Sequence, residues 1–170
     1  MTDDRPARWL EPSEQRSWRA LVMGTTLLMD RLDDDLRREH DISLTEFEIL
    51  VRLSERPGRR MRMAQLADAL AHSRSRVTHT VSRMEAAGLV SRASSPEDGR
   101  GILATMTDKG IDLLERVAPT HVDGVLDHLV NLVSPEDFEA VGRVMNAVSD
   151  HLVDAHPEME VRLPVPSPAR

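Results

Sequence analysis

The sequence predicts a mainly α-helical fold that contains one small β-hairpin. Apolar residues recur at helical spacing in several long segments, whereas residues that favour strands occur in short runs near the middle of the chain. The apolar residues are mostly leucine, valine, alanine and methionine, and the 170 residues include two tryptophans, two phenylalanines and no tyrosine. This composition favours helices over a β-sandwich, and the length fits one domain with or without an oligomerisation element.

Two helices, a short strand and a third helix are predicted in the first part of the chain. Ser13 is the predicted N-cap of a long first helix that continues to about residue 39. The second helix is predicted to begin at a capping box formed by Thr45 and Glu48, and a Pro-Gly pair ends it. A strand is predicted at residues 61–63, followed by a short helix over residues 63–70.

The fourth helix is predicted between an N-cap at Ser73 and a C-terminal glycine at Gly88. On a helical wheel, Val81 and Met84 fall within about 40° of Val77, so these three residues define the buried face. The opposite face is then polar. It holds no carboxylate, and a carboxylate there would repel the phosphates of DNA. Its candidate DNA-binding residues are Ser73, Arg74, Ser75, Arg76, Thr78, His79, Ser82 and Arg83. The alternative is an ordinary solvated helix face.

A hairpin follows, with strands predicted at residues 89–92 and 102–106. Gly99 allows tight backbone geometry at its tip, and Arg100 beside it is placed to enter a minor groove of DNA. Asp98 would be repelled by DNA alone, so we expect it to hold an arginine in position by a salt bridge. A plain exposed turn is the alternative.

Two further helices are predicted at the C-terminal end. Thr107 caps the first of them, and Pro119 predicts a kink within it. Ser134 caps the second, with Pro135 in its first turn. Both helices carry wide apolar stripes with no second domain to pack on, which indicates a dimer interface. Its candidate residues are Leu126, Leu129, Phe138, Val141, Val148 and Leu152.

Charge is distributed unevenly along the chain. The net charge is −7, yet the segment from Arg52 to Gly101 contains ten arginines and five acidic residues, a local charge of +5 that leaves −12 for the rest. A basic block in an acidic protein is typical of a polyanion-binding surface. Twenty-one of the 22 basic residues are arginine. A GC-rich genome accounts for that preference, but not for the clustering.

These motifs together resemble the winged helix-turn-helix of the MarR (multiple antibiotic resistance regulator) family. The matching stretches are QLADAL at 65–70, SRSRV at 73–77, RMEAAGLV at 83–90, PEDGR at 96–100 and MTDKG at 106–110. The resemblance extends over residues 13–156. Two positions depart from the family pattern: Ala71 stands where glycine is frequent, and His72 where an apolar residue is more common.

The resemblance implies a homodimeric transcriptional regulator, most often a repressor, that binds a pseudo-palindromic operator in double-stranded DNA. It divides the chain into an N-terminal dimerisation helix (1–44), a winged helix-turn-helix domain (45–106), C-terminal dimerisation helices (107–156) and a proline-rich tail (157–170). It also implies a small anionic or phenolic effector, bound between the dimerisation helices and the winged domain. The candidate pocket residues are Trp18, Met23, His40 and Phe47, for which ordinary core packing is the alternative.

Other function classes have little support in the sequence. The absence of cysteine excludes disulfides and thiolate metal sites, and no apolar run approaches the roughly 20 residues of a membrane span. A cytoplasmic protein without a cofactor is expected. His121 and His128 share a helix face, which leaves a metal-responsive regulator as an alternative, but no closely spaced histidine pair supports it. No catalytic motif is present. A winged helix that binds only another protein is the remaining alternative.

Overall fold

Helices dominate the computed structural model, which describes residues 8–95 and 101–154 of the chain. The helices are α1 (Pro12–His40), α2 (Leu44–Ser54), α3 (Met63–Ala69), α4 (Arg74–Ala86), α5 (Asp108–His128) and α6 (Pro135–Asp154). The strands are β1 (Arg60–Arg62), β2 (Val90–Ser94) and β3 (Ile102–Met106), and short 3-10 turns lie at Pro57–Arg59 and Val130–Leu132. The predicted fold class, mainly α with a β-hairpin, is confirmed.

The starts of α1 and α2 differ from the prediction. Helix α1 begins one residue before Ser13, because the Glu14 carboxylate accepts the backbone N–H of Glu11 at 2.8 Å and Pro12 fits the first helical position. In α2 the capping box is formed by Ser43 and Glu46, so the prediction at Thr45 and Glu48 is wrong.

The sequence offers two overlapping capping boxes at the start of α2, Ser43 with Glu46 and Thr45 with Glu48. The structure forms the first of them, next to a contact from Asp33 of α1. The Ser43 hydroxyl accepts the backbone N–H of Glu46 at 3.2 Å, and the Glu46 carboxylate accepts that of Ser43 at 2.9 Å. In addition, Asp33 of α1 accepts the N–H of Leu44 at 2.7 Å. This bond satisfies one of the free donors of the first turn only if the helix begins at Leu44.

The three strands form one antiparallel sheet in the order β1-β3-β2. Ala104 lies at its centre, paired with Met61 on one side and Arg92 on the other, and is fully buried. The core extends from this sheet under α2, α3 and α4, where Leu50, Leu66 and Val77 are also fully buried. The fourth helix therefore presents one side to the core and the other to solvent.

Helix α5 packs against α1 and α2 through side chains that the sequence alone does not pair. Asp35 of α1 is buried and accepts hydrogen bonds from Arg31 at 2.9 Å and Arg38 at 2.7 Å, with His128 of α5 3.6 Å away. Burial alone would raise the pKa of Asp35, but the two guanidinium groups outweigh it and lower the pKa. The carboxylate therefore stays charged, and it lies beside the C-terminal end of α5.

His121 of α5 packs its ring against Phe47, with 4.6 Å between ring centroids, and its Nδ1 is buried without a hydrogen-bond partner. Burial lowers the pKa of His121 below its ordinary value of 6.5, since the charged ring would lose its hydration. The unfolded chain therefore takes up this proton first as the pH falls. As the pH falls below about 7, the free energy of unfolding should therefore decrease, until the pH has passed the lower pKa that His121 has in the folded state.

We expect His121→Leu to reduce this pH dependence, because it removes both the titrating ring and the unpartnered nitrogen. Urea unfolding at pH 7 and pH 5 measures it: the free energy of unfolding should fall less between the two pH values in the variant than in the wild type. His72, whose pKa burial also lowers, still titrates in both proteins. Equal declines in the two proteins would contradict the role assigned to His121.

Candidate nucleic-acid interface

The outward face of α4 is an open polar groove of about 630 Å³. It is lined by Arg74, Ser75, Thr78, His79, Ser82, Arg83 and Ala86, which brings together six of the candidate DNA-binding residues. The inward face carries Val77, Val81 and Met84, all nearly inaccessible, and also buries Thr80, whose hydroxyl donates to the backbone oxygen of Arg76. The predicted division of α4 into a buried and an exposed side is confirmed.

Local contacts fix both ends of α4. Ser73 is its N-cap as predicted, since its hydroxyl accepts the backbone N–H of Arg76 at 3.3 Å. At the other end Gly88 has φ 75°, the left-handed conformation that glycine adopts without strain, so the predicted stop is also confirmed. The helix therefore begins and ends where its polar face does.

Two arginines of α4 also contact α2: Arg83, at the edge of the groove, and Arg76, on the flank of the helix. A guanidinium nitrogen of Arg83 lies 3.2 Å from a Glu46 carboxylate oxygen, and one of Arg76 lies 3.4 Å from the Thr45 hydroxyl. Both side chains remain exposed. They are held beside the groove, with their charge available to an approaching polyanion.

A second cleft of about 340 Å³ separates α4 from the hairpin. Two of its basic residues, Arg62 of β1 and Arg92 of β2, were not among the sequence candidates. The rest of the lining is Met63, Ala64, Arg74, Thr78, Gly101 and Ile102. Arg62 lies 12 positions before α4 and Arg92 lies six positions after it, and the β1-β3-β2 sheet brings both to this cleft. The basic run at residues 59–62 was the one available signal.

Arg92 is fixed to α4 by Glu85. Its Nε and one terminal nitrogen lie 2.9 Å and 2.7 Å from one carboxylate oxygen, and its backbone N–H donates to the other at 2.8 Å. These hydrogen bonds lower the pKa of Glu85, so the carboxylate remains charged. The one acidic side chain of α4 is thus directed to the hairpin, away from the polar groove.

The turn between α3 and α4 keeps its helix-ending geometry despite the alanine at position 71. Ala71 has φ 51° and donates its N–H to the oxygen of Asp68 at 3.0 Å, while His72 donates to that of Ala67 at 3.0 Å. This pair of bonds is a Schellman motif, in which glycine normally occupies the left-handed position. Alanine there costs roughly 1–2 kcal/mol.

The hairpin tip, residues 96–100, lies outside the described residues, and with it the candidates Asp98 and Arg100. Its two strands are described up to the tip, where the Ser95 N–H donates to the Gly101 oxygen at 2.7 Å.

The four candidate pocket residues do not come together within one chain. Trp18 and His40 lie 22 positions apart in α1, which separates them by about 33 Å along the helix. Trp18 and Met23 are exposed, whereas Phe47 is buried in the core. His40 and Phe47 contact adjacent residues of α5, namely Thr120 and His121.

A cavity of about 540 Å³ instead lies where α1, α2 and α4 meet. Its charged and hydroxyl-bearing walls are Thr26, Asp30, Asp33, Arg37, Ser43, Thr45, Arg76, Thr80 and Arg83. Three guanidinium groups face two carboxylates there, and the Arg37 guanidinium is already bound to Asp33. Four serine or threonine hydroxyls complete the polar lining. Two of those arginines, at positions 76 and 83, also belong to the candidate DNA-binding set.

Within residues 8–95 and 101–154, no three histidine or acidic side chains are grouped so that they could hold a metal ion. In the same ranges, no helix combines the length and apolar character that crossing a bilayer requires.

Proteins of similar sequence are transcriptional regulators. A sequence model of the MarR family matches residues 40–101. The HTH-type transcriptional regulator PecS of Dickeya dadantii is 30% identical over 164 residues, which cover 87% of this chain and 98% of PecS.

Two solved structures from Streptomyces coelicolor are also similar. Sco3205, a MarR family transcriptional regulator in complex with DNA, is 40% identical with a TM-score of 0.83, covering 88% of this chain and 93% of that one. AbsC, another MarR family transcriptional regulator, is 39% identical with a TM-score of 0.80, covering 86% and 98% respectively.

Proposed function

This chain belongs to the MarR family of transcriptional regulators, and from that premise we propose that it is a homodimeric, ligand-responsive repressor that reads a pseudo-palindromic operator. The observation that carries the proposal is the outward face of α4. It combines arginine, serine, threonine and histidine in one open groove, and the one carboxylate of α4, Glu85, is bound to Arg92 outside that groove. Such a face offers hydrogen bonds to base edges and phosphates without repelling DNA.

Dimerisation is supported by apolar side chains that the single chain leaves uncovered. Phe138, Val141, Val148 and Leu152 of α6 are exposed, as are Trp18, Leu21, Val22 and Leu27 of α1. An apolar surface of this extent marks an interaction site. A second copy of the same chain would cover both helices, with Leu126 and the half-buried Leu129 of α5 beside them.

In the proposed complex, each α4 enters one of two successive major grooves, and each hairpin reaches the adjacent minor groove. The N-terminal half of α4, with Ser73, Arg74 and Ser75, would meet base edges, as in other helix-turn-helix proteins. Arg62 and Arg92 line the cleft between α4 and the hairpin. We assign them to the phosphates of the strand that passes there.

We assign the effector to the cavity between α1, α2 and α4. An anionic ligand that accepts hydrogen bonds from Arg76 and Arg83 would compete with DNA for the same guanidinium groups. It would also contact Arg37 of α1, and so link the proposed dimerisation helix to the DNA-binding face. This cavity replaces the pocket residues expected from the sequence, which lie apart.

Gel retardation with the DNA upstream of the protein's own gene tests the proposal. We expect one retarded complex on a palindrome whose half-site centres lie about one helical turn apart. Its affinity should fall steeply with salt, because the log of the binding constant declines by about 0.9 per neutralised phosphate for each log unit of salt. A protein that dimerises but retards no such fragment would instead be a protein-binding module.

A further inference from the structure

The C-terminal end of α4 is held by the first turn of α5. The last residues of a helix leave backbone oxygens without partners inside the helix. Here the Lys109 ammonium donates to the oxygen of Ala87 at 2.7 Å, and the Thr107 hydroxyl lies 2.7 Å from that of Gly88. The oxygen of Leu89 accepts the Thr107 N–H at 3.1 Å. We call these five residues the α4–α5 junction.

The charges at the α4–α5 junction are complementary. The C-terminus of a helix carries a partial negative charge and the N-terminus a partial positive one, and here the two ends meet. A cation in the first turn of a helix is unfavourable for that helix. Lys109 occupies such a position in α5, and its side chain leaves its own helix to place the ammonium at the end of α4. The charge therefore serves α4.

Lys109 is also the one lysine of the sequence, against 21 arginines. Its side chain passes beside Gly88, where a Cβ would lie 3.9 Å from the Lys109 Cδ. The amine reaches a single backbone oxygen as a point charge, a contact that does not need the forked geometry of a guanidinium.

We propose that Lys109 is a positioning residue for DNA binding, and that loss of its charge weakens sequence-specific recognition. The proposal rests on the proposed function. Lys109 acts through the Ala87 oxygen: while the bond is present, the end of α4 stays fixed to α5, and the residues of its polar groove keep their angle to the base edges. Neutralising the ammonium removes a charge-assisted hydrogen bond and leaves that end of α4 held by the Thr107 contacts alone within the junction.

Three proteins test the proposal: wild type, Lys109→Met and Lys109→Arg. We expect Lys109→Met to weaken binding to the operator palindrome by about tenfold, with unchanged binding to a random duplex. Lys109→Arg keeps a charged donor and should retain most of the affinity. The thermal midpoints of all three should be close, because Lys109 is exposed.

The salt dependence separates positioning from direct phosphate contact. Positioning leaves the slope of log affinity against log salt unchanged, whereas a lost phosphate contact reduces it by about one per subunit and weakens all sequences alike. A reduced slope, or Lys109→Met binding equal to wild type, would overturn the inference and leave the proposed function intact. Failure of the wild-type protein to bind the palindrome would overturn both.

Acetylation provides a second measurement that does not depend on a variant folding. An acetylating reagent converts a side-chain amine to an amide. The wild type has one such amine, that of Lys109, and Lys109→Arg has none. Treatment should weaken operator binding by the wild type about as much as Lys109→Met does, and leave Lys109→Arg unchanged. Equal losses in both treated proteins would assign the effect to the chain terminus and overturn the inference.

Discussion

Arg74→Ala is expected to weaken operator binding by about 2–6 kcal/mol, because a base-reading side chain is worth about 1–3 kcal/mol and a homodimer loses it twice. Arg74 lies in the first turn of α4 and lines both the polar groove and the cleft beside the hairpin. It is thus the one arginine common to the two surfaces assigned to DNA. Titration against the palindrome and against palindromes altered at single base pairs measures the effect.

Arg116→Ala is the matched control for Arg74→Ala. It removes the same charge from an exposed position on α5, where the side chain bonds only the Asp112 oxygen of its own helix among the contacts described. We expect near wild-type affinity. If the two variants bind alike, the assignment of Arg74 fails. If Arg74→Ala weakens all sequences equally, it contacts phosphate rather than base.

Gly110→Ala is expected to destabilise the fold by about 3 kcal/mol, since it adds a methyl group where no space exists. A Cβ built at Gly110 would lie 2.3 Å from the backbone oxygen of Leu89 and 2.8 Å from the Met106 Cγ. The backbone oxygen cannot move aside as a flexible side chain can, because it accepts the N–H of Thr107. Relief of the clash therefore requires α5 to separate from the end of α4.

The same substitution in an open position provides the control for Gly110→Ala. A Cβ at Gly24 in α1 meets nothing within 4 Å, and alanine favours the helix over glycine by up to about 1 kcal/mol. Urea unfolding should place Gly24→Ala at or above the wild-type stability and Gly110→Ala well below it. Equal stabilities for Gly110→Ala and wild type would show that the junction tolerates separation.

Local sequence signals predicted α4 well because its determinants lie within the helix and its caps. Ser73, Val77 and Gly88 act on residues three or four positions away, so a wheel and the capping rules suffice. The caps at Thr107 and Ser134 are confirmed for the same reason: their hydroxyls accept the N–H groups of Gly110 and Asp137.

Contacts between distant residues could not be predicted in this way. The start of α2 depends on Asp33, eleven positions before the N–H that it accepts. The cleft beside the hairpin is lined by Arg62 and Arg92, which lie on β1 and β2, the two strands that pair with β3. The ligand-pocket candidates were chosen without knowledge of such contacts, because the spacing of residues along α1 does not show which residues of α2 and α4 face that helix.

The bond between Glu85 and Arg92 has a consequence for the length of the DNA site. Glu85 of α4 and Arg92 of β2 are joined there, so the described part of the hairpin is held at a fixed distance from the helix that we assign to the major groove. An extra base pair inserted within a half-site shifts one contact by about 3.4 Å along the duplex and turns it about 34°. If the Glu85–Arg92 contact persists in the proposed complex, half-site length would be part of what the protein recognises.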